Sequence, residues 1–120
     1  MNFDEAIATH VQWKLRLRSC IDGHEILDAA DIRPDDRCTL GKWIHFEATS
    51  QVTSAPEFTT LRDRHAAFHR TAAEIVERCQ AGKKTEAATM LDDIDGAYTH
   101  ASTAVVSAIR AMRHVVSPAG

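Results

Sequence analysis

Proline and glycine are scarce, at 3 and 5 of 120 residues, and the aromatic set is small, with four Phe, two Trp and one Tyr. So little turn chemistry excludes a loop-rich chain, and 44% hydrophobic with 26% charged residues excludes a disordered one. No stretch approaches the roughly 18 consecutive apolar residues that a membrane span needs. The opening MNFDEAIATH also lacks the basic and apolar regions of a secretory signal, so the expectation is a cytoplasmic protein with no membrane partner. Lys and Arg are scattered within a formal net charge of -3, leaving no basic stripe for a nucleic acid. Three cysteines, Cys20, Cys38 and Cys79, are an odd number in a reducing compartment. A disulfide framework is therefore a poor reading, and metal ligation or redox chemistry a better one for at least one of them. A chain of 120 residues supports a single domain around a single core, here expected over 3–115 with a tail at 116–120.

What is abundant is helical period. Phe3, Ile7, His10, Trp13, Leu17 and Ile21 recur at three- and four-residue steps and predict a helix that stops at Gly23. The run DAADIRPDDRC over 28–38 has no sustained period and reads as an irregular connection. A short helix, TLGKWIHF, follows with Asp36 or Thr39 as its cap, then a polar loop over 48–56. Pro56 suits the first turn of the next helix. There Phe58, Leu61, His65, Phe68, Ala72, Ile75 and Cys79 form the most regular stripe in the chain, ending at Gly82. A last helix is expected from about Thr85 to Val115, bent at Gly96, with a face of small residues at Ala97, Ala101, Ala104, Ala108 and Ala111. With no strand pattern, the elements predict an all-α antiparallel four-helix bundle with an additional short helix that carries Cys38.

Seven histidines are an unusual share of such a chain, and their placement directs the functional reading. His10 and His65 sit in stripes where an apolar residue belongs, and His69 follows His65 by one helical turn. A pair at i and i+4 presents both imidazoles on one face within reach of one ion. Alone, HxxxH is a weak signal, since two solvated histidines reach this spacing by chance. Cys38 opens the short helix, where the helix dipole favours a thiolate, and a thiolate is a good zinc ligand.

Three blocks carry a resemblance: HxxWK at His10–Lys14, CxLGKW at Cys38–Trp43 and HxxFH at His65–His69. In order and spacing they resemble the chemoreceptor zinc-binding domain, or CZB domain, over most of the chain. The resemblance implies that His10, Cys38, His65 and His69 ligate one Zn2+. It also implies a bacterial regulatory role rather than an enzymatic one. In this family zinc occupancy, or oxidation of the zinc-bound cysteine, alters the output of a chemoreceptor or a diguanylate cyclase, in chemotaxis or c-di-GMP control. No output domain is visible in this chain, so the expected partner is a signalling domain or protein in cis or in trans. The small-residue face of the last helix, together with the resemblance, adds a homodimer to the expectations.

Blander roles are expected elsewhere. Trp13 and Trp43 should be core packing, Gly41 should permit close approach of the short helix, and Lys42 should be a solvated charge. Cys20 and Cys79 read as buried apolar fillers, and His24, His45, His100 and His114 as surface or supporting residues. Asp35, Asp36 and Asp63 are candidates to accept hydrogen bonds from ligating imidazoles. Two other readings compete. A hemerythrin-like di-iron protein needs bridging carboxylates inside the stripes, and the acids here fall on polar faces. A histidine phosphotransfer domain needs an exposed imidazole, and His10 and His65 face inward by period.

Overall fold

The computed structural model describes residues 1–116; of the expected tail, Val116 ends the last helix and 117–120 lie outside the described residues. Helix α1 spans Phe3–Ile21. The Asn2 side chain caps it, accepting the Glu5 N–H at 3.0 Å, and Asp4 and Glu5 occupy the first turn, where the helix dipole favours acids. It ends at Gly23, whose φ of +84° is strained for residues with a Cβ. There the Gly23 N–H donates to the Cys20 carbonyl and the His24 N–H to the Ser19 carbonyl, satisfying the last turn. Helix α5, Pro56–Gln80, starts on its proline and ends at Gly82 with the same pair of bonds, to Cys79 and Arg78. Both helices follow their sequence signals.

The connection between them is more ordered than its sequence indicates. It holds α2 (Ala29–Ile32), α3 (Thr39–Lys42) running directly into a π-helical turn at Trp43–Glu47, and α4 (Ser50–Thr53). Four-residue helices are too short to display a period, which is why 28–38 and 48–56 read as irregular. Asp28 caps α2, its carboxylate accepting from the Ala30 N–H at 3.0 Å. The cap of α3 corrects the expectation of Asp36 or Thr39: it is Cys38, whose sulfur accepts the Gly41 N–H at 3.3 Å. Gly41 explains the geometry. A Cβ there would sit 1.8 Å from the Asp35 carbonyl oxygen, so the strand of chain leading into Cys38 can lie across α3 only over a glycine.

The expected single last helix is two, α6 (Lys84–Asp92) and α7 (Ala97–Val116). Asp93 causes the break. Its backbone is extended, its carboxylate accepts the Asp95 N–H at 3.0 Å, and its carbonyl accepts both the Gly96 N–H and the Thr99 hydroxyl. Gly96 does not merely bend the helix; any Cβ there would meet the Asp93 side chain at 2.9 Å. Ile94 is 80% exposed at this turn, although it stands three residues after the buried Leu91 and four before the buried Tyr98.

The result is an all-α bundle with a short helix carrying Cys38, and the described residues contain no strand. His10 lies against His65 and Cys20 against Cys79, so α1 and α5 run in the same direction, which the long connection permits. The α6–α7 arm runs opposite to both, with Arg18 paired to Asp92 at one end of α1 and Asp4 to Arg113 at the other. Leu17, Leu61, Phe68, Val76, Val105 and Ile109 are fully buried between these members. Each such side chain contributes about 1.5–3 kcal/mol relative to exposure. The connection adds Trp43, packed edge-on against Phe3 and Phe58 with ring centroids 5.3 and 6.0 Å away. No helix among the described residues is long and apolar enough to cross a membrane. Ile109→Ala is expected to destabilise the protein by about 2–5 kcal/mol in urea denaturation; a loss below about 1 kcal/mol would mean that α7 is not packed as described.

Candidate metal centre

The four sequence-predicted residues converge. One donor atom from each of His10, Cys38, His65 and His69 lies within 4.8 Å of the other three. His10 comes from the middle of α1, His65 and His69 from successive turns of α5, and Cys38 from the cap that precedes α3. The Cys38 sulfur is 3.3 Å from His65 Nε2 and 3.7 Å from His69 Nε2, and the two Nε2 atoms are 3.1 Å apart. The three imidazoles are buried and Cys38 is half-buried. Phe68 packs edge-on against both His10 and His69, which walls the group with hydrocarbon.

Hydrogen bonds fix the orientation of two of the rings. His10 Nδ1 is 2.7 Å from the Ala6 carbonyl and His69 Nδ1 is 2.8 Å from the Ile32 carbonyl. A carbonyl can only accept, so in both rings Nδ1 carries the proton and Nε2 presents a lone pair to the cluster. The His10 Nε2 lone pair is buried without any hydrogen-bond partner, a condition that costs free energy unless something electrophilic meets it. His65 turns its Nε2 inward as well, leaving its buried Nδ1 without a protein partner.

The donor set fits zinc. Bond lengths near 2.05 Å to nitrogen and 2.3 Å to sulfur around a tetrahedral centre imply donor separations of about 3.3–3.6 Å. The separations among Cys38, His65 and His69, at 3.1, 3.3 and 3.7 Å, bracket that range, and the whole group lies within 4.8 Å. Among the described residues no carboxylate joins the group, which disfavours a bridged di-iron centre, and buried imidazoles disfavour phosphotransfer.

Burial dominates the electrostatics. It pushes His65 down to about 2, with the neighbouring His69, His10 and His45 adding to the shift. Burial also lowers His10 and His69, against the opposing pull of their Nδ1 hydrogen bonds. All three are therefore neutral, the form that binds metals. The Cys38 thiol is pushed up by burial and by the Asp35 charge, and the N–H groups of Gly41 and Leu40 only partly offset this. Without a cation, a single-turn helix does not favour the thiolate as the sequence suggested. A cation among the four donors reverses that balance.

Several supporting residues differ from expectation. The acceptors for the histidine N–H groups are backbone carbonyls, not Asp35, Asp36 or Asp63. Asp63 instead pairs with Arg62 at the surface, and Asp35 lies 3.4 Å from His45 Nε2. The Ala6 carbonyl is one turn back in the same helix as His10, and Ile32 is brought over His69 by α2; a backbone carbonyl leaves no signal in residue type. Trp43 is core as expected. Trp13 is half-buried and packs against the core, with the Arg16 guanidinium 4.5 Å from its ring centre. Lys42, His24, His100 and His114 are exposed. Two clefts reach the sulfur: one of about 100 Å³ beside Glu5, Thr9 and His10, and one of about 390 Å³ beside Trp13, Arg37 and His69.

The pH response of the metal-free protein follows from the lowered histidines. The unfolded chain binds protons near pH 6.5 that the folded chain refuses until far lower pH, so stability is present above about pH 6.5 and is lost as pH falls below it. Chemical denaturation between pH 7.5 and 5 should show a fall of up to about 1.4 kcal/mol per pH unit for each histidine held neutral. A flat profile would mean that the rings are accessible to protons.

No curated protein and no solved structure shows significant similarity to the chain. The family model of the chemoreceptor zinc-binding domain matches residues 10–76, more than half of the chain and the stretch that holds all four donors. The chain belongs to the chemoreceptor zinc-binding domain family.

Proposed function

We propose that the protein is a zinc-dependent regulatory domain in which His10, Cys38, His65 and His69 together hold one Zn2+. The observation that carries this reading is the convergence of three neutral, buried imidazole nitrogens and one thiol sulfur, with the His10 lone pair otherwise unpartnered. When bound, zinc supplies the positive charge that keeps the Cys38 sulfur deprotonated and ties α1, α3 and α5 to one point. Four protein donors leave no open coordination position, which supports a structural or sensory site rather than a hydrolytic one.

Cys38 is the adjustable member. It is the least buried of the four, two clefts reach it, and it caps a helix of one turn. Hydrogen peroxide converts a thiolate to a sulfenate, an S–O bond forming as the O–O bond breaks and water leaves, and the sulfenate is a poorer ligand than the thiolate. The same change weakens the sulfur cap on the Gly41 N–H, so α3 loses its cap together with its sulfur tie to α5, while Trp43 still holds the turn behind it against Phe58. We assign the output of this change to a chemoreceptor or diguanylate cyclase module in the same chain or a partner, in the cytoplasm. A homodimer joined through helix faces would transmit it.

The purified protein is expected to hold about one zinc per chain by elemental analysis. Cys38→Ala and His65→Ala should each weaken retention against a chelator at least about tenfold. Full occupancy in both variants would overturn the four-donor assignment. Treatment of the zinc-loaded protein with hydrogen peroxide should speed amide exchange over residues 38–47 and leave the centre of α5 protected. Unchanged exchange alongside a sulfenylated Cys38 would remove the redox reading and leave the zinc reading in place. A monomer in light scattering at high concentration would dismiss the dimer.

A further inference from the structure

Cys20 packs in the core and Cys79 against it, as their stripes suggest, and the two sulfurs also face each other. Cys20 lies in the last turn of α1 and Cys79 in the last turn of α5, and because the two helices run in the same direction their ends meet. The two sulfurs are 3.6 Å apart, and the Cys79 thiol donates to the Cys20 carbonyl at 3.2 Å. Covalent closure requires the sulfurs to approach to about 2.05 Å, a movement within reach of small side-chain rotations at this separation. Cys20 is buried and Cys79 half-buried, and both line a cleft of about 180 Å³ together with Gly23, Leu27, Gln80 and Lys84. The pair stands about 15 Å along α1 from His10, well separated from the metal centre.

We propose that Cys20 and Cys79 form a second redox site, closed to an intrachain disulfide by a small hydroperoxide entering this cleft. Cys79 reacts first because it is the less buried of the two; burial and the neighbouring Cys20 push its thiol up, and the Lys84 charge only partly offsets this. Its sulfur attacks the peroxide, an S–O bond forms as the O–O bond breaks, and the alcohol or water leaves with the proton, giving a sulfenic acid at Cys79. The Cys20 sulfur then attacks the Cys79 sulfur, an S–S bond forms as the S–O bond breaks, and water leaves. Two thiols give up two electrons and two protons; the hydroperoxide is reduced to alcohol and water. The closed bond ties the end of α1 to the end of α5 across a loop that contains Cys38, His65 and His69. The helix pair that carries the three histidines is thereby held in register whether or not a metal is bound.

The test is peptide mapping. The protein is treated with hydrogen peroxide, denatured in the presence of a thiol-blocking reagent and digested. A Cys20–Cys79 linked peptide is expected, in the starting protein and in Cys38→Ala alike, and not in Cys79→Ser. In Cys20→Ser, a dimedone adduct should appear on Cys79. The oxidised, metal-free protein should melt more than about 5 °C above its reduced form. Blocked, unlinked Cys20 and Cys79 beside an oxidised Cys38 would overturn the proposal, as would a linkage that includes Cys38. Failure of zinc binding would leave this result unaffected, since the linkage is read without metal.

Discussion

Three imidazoles buried at one point, with their lone pairs turned toward each other, are the constraint around which this bundle is organised. Desolvation keeps His10, His65 and His69 unprotonated, and adjacent lone pairs cannot satisfy one another. A hydrocarbon core would hold α1 against α5 at lower cost. The histidines are tolerated because Ala6 and Ile32 take two of their N–H groups and because the inward nitrogens face the Cys38 sulfur. The arrangement is a metal-binding geometry built into the packing of two parallel helices, with the remaining helices arranged to bury it.

The connection between those helices supplies what the bundle cannot. Helix α2 contributes a carbonyl to His69, and α3 contributes Cys38 as its own cap. Gly41 makes this possible by admitting the Asp35 backbone where a side chain would stand. Trp43 then anchors the segment between Phe3 and Phe58. The two ends of the segment are thus fixed by packing, while Cys38 itself rests on one weak sulfur hydrogen bond and its approach to the histidines. A tether of this kind is suited to release: loss of the sulfur donor costs few apolar contacts.

The two groups of sulfur in the protein differ in what surrounds them. Cys38 is surrounded by nitrogen donors and becomes a thiolate when a cation is present. Cys20 and Cys79 face each other at the C-terminal ends of α1 and α5. In the chemistry proposed for each, oxidation loosens a tether at one group and adds a tether at the other, on the same pair of helices.

The sequence alone determined the helices with strong signals: the apolar stripes of α1 and α5, their glycine stops at Gly23 and Gly82, the proline start at Pro56 and the inward facing of His10 and His65. It also determined family membership, because the three blocks around His10, Cys38 and His65 keep their order and spacing. The tertiary structure decided what depends on backbone positions rather than residue types. Carbonyls at Ala6 and Ile32 orient the rings, and no side-chain pattern encodes them. The one-turn helices α2 and α4 are shorter than any detectable period. The break at Asp93, and the exposure of Ile94, arise because local hydrogen bonds to one aspartate outcompete helix continuation across a stripe that otherwise reads as unbroken. The nearness of Cys20 to Cys79 likewise required knowing that α1 and α5 run parallel, a fact set by how the connection folds back and not by either helix.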